Sequence, residues 1–223
     1  MIKISKRLEA ISSLVPINSN IIDIGCDHAL LDIYLYQKNI SNKIIASDIN
    51  ANALNNAKEN IKKNNLNDYI ETRLGNGLDT LNKEDNIDTI IISGMGAHTI
   101  VGILKINKIK LDNINTIIIQ SNTKLEFLRR EVTKLNYRIE DEIMVEDNKK
   151  TYTIIKLIKG NKKYTKKELY FGPILLKKKD KLFIESTKLE LQKLNIYLKL
   201  LPKDRIINRY KLKKEIRLYK GIV

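Results

Sequence analysis

The feature that most constrains this chain is the pairing of short isoleucine-rich runs with longer polar stretches of helical period, sustained through its first 160 residues. Ile87-Asp88-Thr89-Ile90-Ile91-Ile92 and Ile114-Asn115-Thr116-Ile117-Ile118-Ile119 are the clearest of these runs. Their near-continuous apolar character suits strands covered on both faces, as a parallel sheet between helices demands. The pattern predicts strands at Asn20–Ile24, Lys43–Ser47, Ile70–Leu74, Ile87–Ile92 and Ile114–Gln120, with helices at Ala29–Lys38, Ala51–Asn64, Ala97–Lys105 and Lys124–Leu135 crossing between them. Arg138–Val145 and Tyr152–Lys159 are separated only by the polar segment Glu146 to Thr151, which has no helical pattern, so they read as an antiparallel hairpin closing the sheet. The fold class is α/β, with a mostly parallel sheet of seven strands.

Charge divides the chain. Residues 161–223 hold 19 Lys and Arg against 6 Asp and Glu, whereas residues 1–160 hold 22 against 20. Compositional drift that leaves lysines on a solvated face is the other reading, although drift alone should act along the whole chain. A partner with dense negative charge is the direct reading, and a nucleic acid backbone fits it, since each neutralised phosphate releases counterions. In this tail Leu182, Leu189, Leu191, Leu194, Leu198 and Leu201 form one apolar stripe, Pro202 breaks it, and Ile206, Ile207, Tyr210, Leu212, Ile216 and Tyr219 form another. A helical hairpin or short antiparallel coiled coil is expected; a single packing helix with a frayed end is the alternative. The expected domains are therefore 1–160 and 161–223.

Other features exclude classes of function. No apolar run is long enough to span a membrane, and Met1–Ala10 carries charges inside it and no apolar h-region, so neither a membrane span nor a signal peptide is expected and the location expected is cytoplasmic. The one cysteine, Cys26, forms no intrachain disulfide, and with His28 and His98 as the only histidines no structural zinc or other metal site is expected. A monomer is the expected state.

Chemistry concentrates at the predicted strand ends. Asp23-Ile24-Gly25-Cys26-Asp27-His28-Ala29 lies where the first strand turns into the first crossover helix. A glycine there lets a ligand approach the backbone, and ligands of open α/β sheets bind beyond the carboxyl ends of the strands. The segment lacks G-x-G-x-x-G, and one glycine flanked by Asp23 and Asp27 repels a pyrophosphate. A cationic ligand without phosphates is favoured, and S-adenosyl-L-methionine fits. Asp48, with its neighbour Ile49, ends the second strand 25 residues after Asp23, where a carboxylate accepts from both ribose hydroxyls; capping the next helix is its other reading. Asn76 and Gly77 follow the third strand, suited to an adenine edge and a flat base, or to a plain turn. Ser93-Gly94-Met95-Gly96 follows the fourth strand, where a methyltransferase places its acceptor. No Asp/Asn-Pro-Pro-aromatic motif is present to grip an exocyclic amine, and no Pro-Cys pair to form a covalent pyrimidine adduct.

Together with Gln120-Ser121-Asn122 and Leu169-Tyr170-Phe171-Gly172-Pro173, these segments resemble the bacterial TrmK family of tRNA (adenine-22-N1)-methyltransferases over nearly the whole chain. The resemblance implies a Rossmann-like class I methyltransferase domain, a C-terminal α-helical coiled-coil domain that helps hold tRNA, and S-adenosyl-L-methionine as methyl donor. The sequence departs from the family pattern at Asp32 and Ser121, where proline is common, and at Asn76, where aspartate is common. Cys26, Ser93 and Gly94 join the expected cofactor set of Asp23, Gly25, Asp48, Ile49, Asn76 and Gly77, and Met95, Gly96, Gln120 and Asn122 are the expected substrate set. N1 of adenine attacks a methyl group without prior deprotonation and leaves a cationic base, so Asp27 is the first catalytic candidate and His28 the second, although His28 also suits a loop-bracing role. N1 is engaged in Watson–Crick pairing, so the base must be unpaired or flipped. Tyr34 and Tyr36 are expected to pack. A methyltransferase for another RNA or a small molecule, and a non-catalytic RNA-binding protein, are the alternatives.

Overall fold

Apolar runs become the central strands of a computed structural model that describes residues 1–223 and divides into two compact units, Met1–Tyr164 and Thr165–Val223. In chain order the first unit contains α1 (Lys6–Ser12), β1 (Asn20–Ile24), α2 (Leu30–Gln37), β2 (Lys43–Asp48), α3 (Ala51–Lys63), β3 (Ile70–Leu74), β4 (Thr89–Met95), α4 (Ala97–Ile106), β5 (Thr116–Ser121), α5 (Leu125–Val132), β6 (Tyr137–Asp147) and β7 (Lys150–Lys159). The seven strands lie in the order β3-β2-β1-β4-β5-β7-β6. The first five are parallel, and β7 pairs antiparallel with both β5 and β6. This is a Rossmann-like mixed sheet. Its strand order reverses at β1 and β4, which opens a crevice beyond their carboxyl ends.

Burial on both faces explains the continuous isoleucines, since Ile21, Ile22, Ile90, Ile91, Ile92, Ile117, Ile118 and Ile119 are all removed from solvent. The fourth and fifth strands begin two residues later than predicted because Asp88 serves as a crossbrace. Its carboxylate accepts from the Asn20 N–H (3.2 Å) and its carbonyl from the Asn115 and Thr116 N–H groups. At its other end β4 runs on to Met95 through an irregularity between Ile92 and Met95, which swings the chain off the regular pleat as it leaves the sheet.

Helix α1 was not foreseen. The Ser5 side chain caps it by accepting from the Leu8 N–H, and Ile11 is fully buried in the core cluster with Leu14 and Val15. Between α5 and β6 an ion pair is sealed from water: Arg129 Nε lies 2.7 Å from Glu142 Oε1, with 1% and 0% of the two side chains exposed.

The second unit contains α6 (Lys166–Phe171), α7 (Pro173–Lys178), α8 (Lys181–Leu200) and α9 (Ile206–Lys220). Thr165 and Glu168 form a capping box at the start of α6, Pro173 opens α7, and Asp180 caps α8 by accepting from the Phe183 N–H. The break at Pro202 holds, and Arg209 satisfies the end of α8 by donating to the carbonyls of Leu198 (3.0 Å) and Leu201 (2.6 Å). The predicted stripes are buried only in part. Leu212 and Ile216 are buried, whereas Leu189, Ile206, Ile207 and Tyr210 are exposed. Helical spacing marks a face but does not set how far along that face a partner reaches.

Candidate functional site

Beyond the carboxyl ends of β1, β2 and β4 lies a cavity of about 680 Å³. Its floor is the turn after β1. Three residues there have positive φ: Gly25 at 83°, Asp27 at 51° and Ala29 at 53°. For Asp and Ala that is costly backbone, retained where surrounding bonds fix it. The N–H groups of Gly25 and Cys26 both donate to the Ser47 carbonyl (2.8 and 3.0 Å), and Asn60 Nδ2 donates to the His28 carbonyl (3.0 Å). Asp48 holds the loop's far side, since its Oδ2 accepts from the Asp27 N–H (3.2 Å). Capping of α3 falls instead to Asn50, whose side chain accepts from the Asn52 and Ala53 N–H groups. Asp48 therefore remains in the cavity wall.

The electrostatics of the floor are unusual. Asp23 is only 4% exposed, and its Oδ1 makes no hydrogen bond. Burial, reinforced by the negative charge of Asp48 and opposed by Arg7, pushes its pKa up to about 7. A second carboxyl, Asp32, is fully buried in the first turn of α2 with neither oxygen hydrogen-bonded, and burial with the nearby charge of Asp23 holds it well above the usual carboxylate range. Burial also raises the Cys26 thiol far above its ordinary value, so it is no nucleophile here. Asp27 and His28 sit side by side at the rim, with Oδ1 3.7 Å from Nε2 and side chains 72% and 48% exposed.

At the β4 and β5 ends, Gly94 and Asn122 are tied together both directly and through Gln120. Gln120 Oε1 accepts from the Gly94 N–H (3.0 Å), Gln120 Nε2 donates to Asn122 Oδ1 (3.0 Å), and Asn122 Nδ2 donates back to the Gly94 carbonyl (2.9 Å). The Met95 methyl lies against Gly25, where any Cβ at position 25 would collide with it.

The cavity thus gathers Asp23, Gly25, Cys26, Asp27, His28 and Asp48 from the first two strand ends with Ser93, Gly94, Met95 and Asn122 from the fourth and fifth. It does not gather all the predicted residues. Gln120 is fully buried as a strut behind the wall, and Ile49 and Asn76 are exposed and do not line the cavity. Gly77 is buried with φ 55° and faces Ile103, and Gly96 precedes α4 as its cap residue. Sequence reasoning missed two further walls. Lys3, Ile4, Ser5, Arg7 and Leu8 line the cavity from the N-terminal segment, and Asp147, Asn148 and Tyr152 line it from the β6–β7 hairpin. A cap signal at Ser5 before a Leu8/Ile11 spacing was available for α1, but nothing local ties either segment to the β1 turn.

Known proteins resemble this chain over most of its length. A curated tRNA (adenine(22)-N(1))-methyltransferase of Bacillus subtilis (strain 168) is 31% identical over 197 residues, covering 86% of this chain and 82% of that protein. The crystal structure of Streptococcus pneumoniae Sp1610 matches with a TM-score of 0.96 at 30% identity, covering 99% of both chains. M. capricolum TrmK, solved with S-adenosyl-homocysteine, matches with a TM-score of 0.87 at 32% identity over 98% of this chain and 96% of that one. The family pattern of TrmK, tRNA (adenine(22)-N(1))-methyltransferase, matches residues 21–221, and the chain belongs to that family.

Proposed function

We propose that this cavity binds S-adenosylmethionine and that the protein methylates N1 of adenine 22 in tRNA. The observation that carries the reading is the union, in one cavity, of the acidic β1 and β2 ends with the glycine-lined β4 end. The residues fit the donor. Asp23 offers a buried oxygen without a hydrogen bond to an ammonium group, Asp48 offers a carboxylate to a ribose, and the loop supplies no phosphate cradle. The M. capricolum relative was solved with S-adenosyl-homocysteine.

When bound, S-adenosylmethionine supplies an electrophilic methyl group that the N1 lone pair can take. The chain's own task is placement and charge. Gln120 and Asn122 fix Gly94 against backbone drift, so the acceptor loop presents a rigid edge. Asp27, held by the Asp48 bond to its N–H, places a carboxylate at the rim where the cationic product develops, with His28 beside it. The finer division of labour belongs to the same proposal. Residues 1–160 carry the chemistry, and the basic tail, with α8 and α9 as its coiled-coil arm, grips the tRNA backbone. The protein acts as a cytoplasmic monomer without a metal.

Methyl transfer from labelled S-adenosylmethionine to unmodified tRNA, followed by nucleoside analysis and mapping with A22 variants, tests the reading. N1-methyladenosine that disappears when A22 is replaced is the expected result. Another methylated nucleoside, or no transfer at all, would overturn it.

A further inference from the structure

The β6–β7 hairpin that closes the sheet also lines the cavity. A base methylated on its Watson–Crick edge has to leave its helix, and the stacking it loses must be replaced. Among the cavity-lining residues Tyr152 is the sole phenylalanine, tyrosine or tryptophan. Tyr34 and Tyr36 on α2 do not line it, and Tyr36 is engaged with Tyr69, ring centroids 4.7 Å apart.

Tyr152 is half-buried on β7 and pairs with Val145 just beyond the tight turn at Asn148 and Lys149, both at positive φ. Its ring is linked to the Gly94 loop through a cation–π contact with Arg7 and the hydrogen bonds of Gln120. The Arg7 guanidinium carbon sits 5.5 Å from the ring centroid. Arg7 in turn donates to Gln120 Oε1 (3.0 Å), the same oxygen that takes the Gly94 N–H. The Arg7 backbone N–H is tethered to Asp147 Oδ2 (3.3 Å). Arg7 thus braces one face of the ring, and the ring stands at a set place relative to Gly94 and Asn122. None of these bonds is needed to close the sheet, whose ladder hydrogen bonds already do so.

We propose that Tyr152 is the platform on which the flipped adenine stacks, with Arg7 as the brace that positions it. The proposal rests on the adenine-N1 reading above and adds the contact that holds the base. It accounts for an α1 and a hairpin tip that line a cavity whose donor side is built from other strands.

The test uses the full-length protein with S-adenosylhomocysteine and tRNA carrying 2-aminopurine at position 22, whose emission is quenched by stacking. Tyr152→Ala should brighten the bound complex relative to wild type, and should lower kcat/KM for unmodified tRNA by roughly 5- to 150-fold, the range expected for one base–aromatic stack. Cofactor affinity should stay within about threefold of wild type, which also reports that the variant is folded. Tyr152→Phe should restore both the quenching and the rate, because the ring and not the hydroxyl does the stacking. Unchanged emission and rate in Tyr152→Ala, or brightening produced by His28→Ala in its place, overturns the proposal. Emission is read without methyl transfer, so a wild-type protein that makes no N1-methyladenosine refutes the functional reading separately from the platform.

Discussion

Replacing Asp23 by Asn should make the ligand-free protein more stable at alkaline pH while weakening its hold on S-adenosylmethionine. Asp23 moves from an ordinary 3.8 to about 7 on folding because it is buried beside Asp48. An acid whose pKa rises on folding favours the folded state at low pH, and that contribution is lost as the pH climbs through the folded value. A shift of about three units corresponds to roughly 4 kcal/mol of cost once Asp23 is ionised in both states, near pH 8. At pH 5 the group is still protonated in the folded protein and the cost is only about 1 to 2 kcal/mol. Urea denaturation followed by circular dichroism at pH 5 and pH 8 should therefore show wild type losing about 2 to 3 kcal/mol more than Asp23→Asn between the two. Titration calorimetry should show the variant binding cofactor at least about tenfold more weakly, the loss of one charge-assisted hydrogen bond. Parallel pH dependence in the two proteins, or a variant less stable than wild type at pH 8, would refute the argument that burial strains this carboxylate for the sake of a cationic ligand.

Three further outcomes are expected. Arg129→Met should cost about 3 to 5 kcal/mol in urea denaturation by leaving Glu142 charged inside the protein, and Arg129→Met with Glu142→Leu should recover most of it. Asp27→Ala should lower kcat for tRNA methylation by tenfold or more, a loss of about 1.4 kcal/mol, with little change in cofactor affinity by calorimetry; equal losses in both would make Asp27 a cofactor ligand only. Exchanging the exposed Lys211, Lys213 and Lys214 for Glu should weaken tRNA binding and flatten its dependence on salt by about two to three counterions in a filter-binding series, leaving cofactor affinity unchanged.

Much of this architecture was legible because burial on both faces of a sheet writes itself locally, in runs such as Ile117-Ile118-Ile119. Strand ends were legible as well, since Asp23, Asp48 and Gly94 break the apolar character of β1, β2 and β4 at their carboxyl ends and Gly25 follows β1 directly. The remainder depended on contacts far apart in the chain. Arg7 and Gln120 are 113 residues apart, and Arg7 and Asp147 are 140 apart, so neither sequence neighbourhood hints that the two belong to one wall. Insertion of β7 between β5 and β6 was likewise invisible, because a hairpin pattern gives pairing but not which partner takes the sheet edge. Asp32 stood out in the sequence only as a departure from the family pattern, and only the packing around it reveals an enclosed carboxyl.

The meeting of Met95 with Gly25 joins the β1 and β4 ends of the cavity through one side chain. The Met95 methyl stands against the Gly25 turn, so the space at that junction is bounded by a flexible side chain as well as by backbone. That is the arrangement a chemist would choose for a paired alteration of enzyme and reagent. Trimming position 95 to alanine enlarges the junction without touching the acidic floor, and a donor bearing a bulkier transferable group would then have a protein of its own.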